Sequence, residues 1–217
     1  MKPAPLLAWP GWRHLGHTAL LALAVSIWFQ IIFNATNYWT GLHNYRVRLH
    51  LDAERYIPFV PASVLAYLSI YLLFAVTPFI LRDRRAVRAL AATLMMTTVI
   101  AGIGFLLFPG ELQFDAADDP GRWEGLVAFA RRIALRYNLA PSLHVALAVV
   151  CAGAFASAAR WIGKLLLWGW TLAIALSTLL LHQHHLVDVV TGYGLGLAAL
   201  HWGYWQLVSA QVRESRC

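Results

Sequence analysis

Two short segments of the chain carry side chains able to attack an electrophile or move a proton. One is Tyr137-Asn138-Leu139-Ala140-Pro141-Ser142-Leu143-His144, the other His182-Gln183-His184-His185-Leu186-Val187-Asp188. His184 and Asp188 are four apart, so a helix that starts before them puts both on one face. A carboxylate bonded to one imidazole nitrogen sets the tautomer and leaves the other nitrogen free to attack. His144 falls in the first turn after Pro141, a residue suited to the first position of a helix. Open backbone N–H groups there, with the positive helix end, make an anion site. A nucleophilic His184, its orienting Asp188 and a second histidine, His144, beside an anion cradle fit phosphoryl transfer through a phosphohistidine. His184 would attack phosphorus and His144 would protonate the leaving oxygen. Arg136 and Ser142, with Arg131 or Arg132, are candidates to neutralise the phosphate oxygens.

The elements that must position these residues are apolar. Of 217 residues, 60% are hydrophobic and 12% charged, and the mean hydropathy is +0.61. A soluble domain carries about a quarter charged residues, so most side chains here have lipid rather than water to face. A crossing of the roughly 30 Å hydrocarbon core needs about 20 apolar residues. Six stretches qualify: Leu15 to Gly41, Ile57 to Leu81, Ala89 to Phe108, Tyr137 to Ala159, Leu165 to Leu181, and Val189 to Val208. Ala146, Ala148, Gly153, Gly192, Gly194 and Gly196 punctuate the fourth and sixth, which lets helix backbones approach closely. Trp123 to Arg136 alternates apolar and basic positions at helical spacing and reads as an amphipathic interfacial helix. The expected fold class is all-α: an integral membrane bundle of six transmembrane helices with a short interfacial helix before the fourth, forming one transmembrane domain over residues 1–217. The first apolar stretch is too long for a cleavable signal peptide and reads as a retained helix.

With six helices both motif segments fall on one outer face. The basic residues set the orientation. With the N-terminus in the cytoplasm, ten of the 17 Lys and Arg lie inside, including Lys2, the Arg82–Arg88 cluster and Arg216, and seven lie outside. Eight of the ten acids lie outside; only Asp83 and Glu214 lie inside. This predicts a multi-pass protein of the bacterial inner membrane whose site faces the periplasm. The net charge of +7 sits in clusters between apolar runs, which points to anionic lipid head groups and away from nucleic acid. Two cysteines, Cys151 within an apolar run and Cys217 at the end, give no disulfide or zinc pattern.

The residues also resemble a known family. Pro141-Ser142-Leu143-His144, followed by Ser177-Thr178 and then by His184 and Asp188, is similar to the phosphatidic acid phosphatase type 2 superfamily. Its second motif reads Pro-Ser-x-His and its third Ser-Arg-x5-His-x3-Asp. The Tyr-Asn-x-x-Pro-Ser-Leu-His wording resembles most the branch of inositol phosphorylceramide synthase and sphingomyelin synthase. The resemblance implies six transmembrane helices, a metal-independent reaction without cofactor, and a lipid phosphate ester as substrate. It puts Tyr137, Asn138 and Ser177 beside Arg136 and Ser142 among the phosphate-binding candidates. Two departures stand out. Thr178 replaces the arginine of the third motif, and the Lys-x6-Arg-Pro first motif is not recognisable on the outer face. Both favour the phosphotransferase branch over a plain phosphatase.

Two other readings belong beside these. His182 and His185 read as amphipathic anchors at the interface, as do most tryptophans. His182, His184, His185 and Asp188 also have the donor types of a zinc or copper site, so a metal-binding membrane protein is the remote alternative.

Overall fold

The structure, a computed structural model, describes residues 9–114 and 119–214. Lys2, Asp115, Asp118, Arg216 and Cys217 lie outside the described residues. Among those described the regular elements are all helical, with one isolated bridge between Val47 and Gly110.

Helix α1 (Trp12–Gly41) is the longest, its hydrophobic side chains largely exposed, as a lipid-facing helix requires. A cap segment, residues 42–60, leads to a stretch that opens as a 3-10 turn at Pro61–Ser63 and continues as α2 (Val64–Leu68) and α3 (Ile70–Ile80). The break falls at Ser69, whose hydroxyl donates to the Ala66 carbonyl and accepts the Trp170 indole N–H at 2.7 Å. Trp170 is thus a partly buried tie between helices rather than an interfacial anchor. Helix α4 (Arg84–Leu107) is capped by Asp83, whose carboxylate accepts the Arg85 N–H. It packs along α1.

After the loop, α5 (Glu124–Ala134) lies where the amphipathic pattern predicts a helix. It buries Val127 and Ala130 against Val64, Tyr67 and Leu181, across one end of the bundle. Helix α6 (Leu143–Ala156) is the hub, contacting α3, α4, α7 (Trp161–Leu180) and α8 (Leu186–Ala198). Twelve of its fourteen residues are buried, and His144 is one of the two that are not. A wide π-helical segment, Ala199–Tyr204, carries the chain from α8 into α9 (Trp205–Glu214).

Among the described residues, four helical stretches are long and apolar enough to cross a membrane: Trp12–Gly41, Pro61–Ile80, Arg84–Leu107 and Trp161–Leu180. The expected fourth span, Tyr137 to Ala159, differs most from what is observed. Residues 137–142 are not helical, because Asn138 and Ser142 are bonded elsewhere, as described below. The fourteen residues that remain as α6 rise about 21 Å, short of the roughly 30 Å core. The expected sixth span is divided by the π segment, which sets Leu200 against Gly153 of α6 and Gly203 against Thr93 of α4.

The small residues act as expected between α6 and α8. A Cβ on Gly192 would stand 2.4 Å from the Ser142 carbonyl oxygen, and one on Gly196 2.8 Å from that of Ala146. Glycine is required at both for the backbones to meet at this distance. At the opposite end of the bundle, His14 of α1 is bonded to the Leu81 carbonyl, beside the Arg82–Arg88 cluster. That cluster therefore lies away from the motif segments.

Candidate active site

The two motif segments meet at one end of the bundle. The Ser142 N–H donates to the Asp188 carbonyl at 2.8 Å, and His144 and His184 line the same cavity.

His184 stands in the turn after α7, where its N–H and that of Gln183 donate to the Thr178 carbonyl. Its Nδ1 is 3.4 Å from Asp188 Oδ2. A carboxylate only accepts, so Nδ1 carries the proton and Nε2 keeps the lone pair. The pair does not form on one helical face as the spacing suggests. Helix α8 begins only at Leu186, and Asp188, in its first turn, reaches back past the start. Its Oδ2 also accepts the His185 N–H at 2.8 Å, while its buried Oδ1 has no partner among the described residues.

His144 is the second residue of α6. The capping residue is Ser142, whose hydroxyl accepts the Val145 N–H, so Pro141 lies ahead of the cap and not at the first helical position. The N–H groups of Leu143 and His144 are left without intrahelical acceptors by their position. His144 Nε2 is 2.8 Å from the Tyr67 carbonyl, and its ring stacks on the Tyr67 ring at 4.0 Å. A carbonyl only accepts, so Nε2 holds a proton and neutral His144 has its lone pair on Nδ1.

The cavity measures about 520 Å³. At one end stand His144, His184 and Arg132; apolar side chains such as Val25, Phe29, Phe74, Leu90 and Leu94 line most of the rest, with Ser26, Gln30 and Thr77 among them. It extends along α1 from Asn34 to Thr18, about 24 Å of helix rise, and along α4 from Thr98 to Val87, about 16 Å.

The remaining expected residues are placed differently. Asn138 borders the cavity, but its amide donates to the Phe33 carbonyl at 2.7 Å and accepts from Thr36, tying the loop to α1. Tyr137 donates its N–H to Asn37 and lies with its ring under the Arg46 and Arg136 guanidinium groups. Arg136 is 68% exposed and paired with Glu111 at 2.6 Å, a hydrogen bond that raises its pKa further. Ser177 is buried within α7 and donates to the Ile174 carbonyl, and Thr178 does the same to Ala175. Neither reaches the cavity. Arg132 does, and it has no ion-pair partner among the described residues.

The sequence reading missed Glu54. Only 4% exposed, it receives His185 Nδ1 at 2.7 Å and the N–H groups of Leu186 and Leu51. His185 is therefore not an interfacial anchor; it is buried, held by Glu54 on one side and by the Gln113 N–H on the other. His182 is bonded to the Ile57 carbonyl and stacked on Phe114. The three neighbouring histidines thus have three separate partners. Among the described residues no three His, Cys, Asp or Glu side chains converge as metal ligands. A signal for Glu54 existed: it lies in a loop that the helix count puts on the same face as both motifs.

A family model described as the PAP2 superfamily matches residues 110–211, just under half of the chain. The matched range holds both motif segments and helices α5 to α8; α1 to α4 and the cap with Glu54 lie before it. The match supports a phosphatase- or phosphotransferase-type function in general and, with the apolar helices, a membrane protein. Comparison with curated proteins and with solved structures returns no significant match.

Proposed function

We propose that this protein cleaves a lipid phosphate ester or pyrophosphate by nucleophilic attack of His184, through a phosphohistidine. The observation that carries this is the cavity with a polar head (His144, His184 and Arg132) and an apolar body. An extended hydrocarbon advances about 1.2 Å per bond. A body 16–24 Å long therefore takes one chain of roughly 13 to 20 bonds while the phosphate rests at the head.

The proton positions suit the sequence of steps. His184 Nε2 attacks phosphorus, and the P–O bond to the lipid alcohol breaks with its electron pair. The leaving oxygen takes a proton from Nδ1 of doubly protonated His144. Neutral His144 then holds the base form that its bond to Tyr67 enforces. An acceptor O–H attacks the phosphohistidine, its proton returns to His144 Nδ1, and the N–P bond breaks with its pair returning to His184. Asp188 holds the His184 tautomer and stabilises the cation formed. Arg132 and the first N–H groups of α6 receive the phosphate oxygens. Arg132 also stands in for the arginine that Thr178 replaces.

If water is the acceptor the enzyme is a lipid phosphatase. If an alcohol is the acceptor it is a head-group transferase of the inositol phosphorylceramide synthase type. The second reading is favoured by the burial of His184 (6% exposed) and Asp188 (0%) beneath the cap, since water exclusion decides the acceptor. In this reading the four long apolar stretches are set in a bacterial inner membrane with the shorter α6 and α8 packed among them, and the site faces the periplasm.

The test is a panel of phosphatidate, polyprenyl pyrophosphate, and ceramide or glycerolipid donors. It is run with purified wild type and His184→Ala, with and without EDTA, measuring free phosphate and new phospholipid by chromatography. Wild type is expected to release phosphate or form a new lipid, with EDTA making no difference. His184→Ala should lose at least about 10³-fold. Full activity in His184→Ala overturns the assignment. Loss of activity with EDTA revives the metal reading. If no phosphohistidine can be trapped during turnover, His184 acts instead as a general base on the acceptor.

A further inference from the structure

Two histidine–carboxylate pairs are built on consecutive residues. His184 pairs with Asp188 within the motif. His185 pairs with Glu54, 131 residues earlier in the chain, in the cap. Nothing in the proposed chemistry uses the second pair, yet it is buried too and is the shorter of the two contacts.

The protonation of His185 follows from its neighbours. The Gln113 N–H donates to Nε2 at 3.3 Å, so the proton is on Nδ1 and points to Glu54 Oε2. The same oxygen accepts the Leu186 N–H at 3.2 Å, and Oε1 accepts the Leu51 N–H at 3.0 Å. Three N–H donors converge on one buried carboxylate and hold it in one orientation. Two of the three come from the start of α8, where the next N–H, that of His185, is the one that holds Asp188 Oδ2. The cap is tied down elsewhere as well. The Val47 N–H donates to the Pro109 carbonyl, and Leu49 packs on Leu139 and Ala140 just before the Pro141-Ser142 turn.

We infer that Glu54 is a positioning residue: through His185 and Leu186 it fixes the first turn of α8, and so fixes Asp188 on His184. The cap thereby sets the geometry of the nucleophile without touching the phosphate. This rests on the phosphotransfer reading of the site, and its test is arranged so that the two can fail separately.

A glutamine at position 54 offers one acceptor oxygen and one N–H₂ group, so at least one of the three donors meets another donor. Glu54→Gln, His185→Leu and the double variant are compared with wild type, with His184→Ala as the blank, and folding is monitored by thermal unfolding. Glu54→Gln is expected to lower kcat about 10-fold to 100-fold, with KM within about two-fold, as loss of a group that orients a ligating or reacting side chain does. The double variant should be no slower than the slower single, since both act through one link. His185→Asn, whose amide N–H can replace Nδ1–H, should be several-fold faster than His185→Leu. The ring nitrogens of His185, read by ¹⁵N NMR, should report a single Nδ1–H tautomer in wild type and lose it in Glu54→Gln. A wild-type kcat in folded Glu54→Gln, or losses that multiply in the double, overturns the inference. If Glu54→Gln does not fold, equal kcat in His185→Asn and His185→Leu overturns it. If no phosphate substrate turns over with wild type, the functional reading fails. The tautomer of His185 then still decides the link to Glu54.

Discussion

The N–H of Ser142 donates to the carbonyl of Asp188 at 2.8 Å, joining the residue that caps α6 to the acid that orients His184. One backbone bond therefore sets the spacing between the two halves of the site. It forms only because Gly192, one turn beyond Asp188, lets the Ser142 carbonyl approach to a distance no Cβ tolerates.

Gly192→Ala should consequently affect activity as well as stability. A methyl group 2.4 Å from the Ser142 oxygen must push α8 away from α6. Overpacking of this kind costs about 1–3 kcal/mol. The expected outcome is a lower thermal midpoint with a further loss of kcat in protein that is still folded. Gly194→Ala, at a glycine with open space around its Cβ position, should do neither.

Arg132 and Arg136 should differ. Arg132 borders the cavity head without an acidic partner among the described residues, whereas Arg136 is spent on Glu111. A charge-assisted hydrogen bond contributes about 1.5–3 kcal/mol, or roughly 10-fold to 150-fold in binding. Arg132→Gln is expected to lower kcat/KM by that factor. Arg136→Gln should stay within about three-fold, since an exposed ion pair contributes about 0–1 kcal/mol. Steady-state kinetics on one lipid phosphate distinguish them.

Chain length offers a third measurement. Ala91 lines the cavity midway along α4, seven residues and about 10 Å below Thr98. Ala91→Phe should block the far half and leave room for about eight bonds. Activity on a 16-carbon substrate is expected to fall at least about 10-fold, with an 8-carbon analogue little affected. Equal losses on both would show that the cavity does not hold the chain.

A pH effect follows from His50 in the cap. Burial first, then the charge of Arg48 and the neighbouring His185 and Arg55, lower its pKa below 6.5, against a smaller opposing pull from Asp52. The unfolded chain then binds the proton more readily than the folded one, so stability is lost as pH falls through and below 6.5. Thermal midpoints recorded from about pH 8 to pH 5 should decline on the acid side, and His50→Gln should flatten that decline.

Much of this molecule is determined by its sequence alone. Long apolar runs must become helices, because lipid offers no hydrogen-bond partner to an open backbone. Their number put Ser142-Leu143-His144 and His184 with Asp188 at one end of the bundle, and the structure does the same. The small residues of α6 and α8 announced a close helix pair, and the amphipathic stretch became α5. These are local properties, legible within a few turns of chain.

What only the tertiary structure decided involves pairs far apart in sequence. The segment 137–142 belongs to a long apolar run, yet Asn138 spends its amide on Phe33 and Ser142 its N–H on Asp188, so α6 starts late. Arg132 rather than Arg136 reaches the cavity, because Glu111 captures the latter from 25 residues away. Glu54 finds His185 across 131 residues, a pairing that no periodicity encodes. Each is a choice among polar partners competing for a few buried donors and acceptors. That competition is settled by which loops the packed helices bring together.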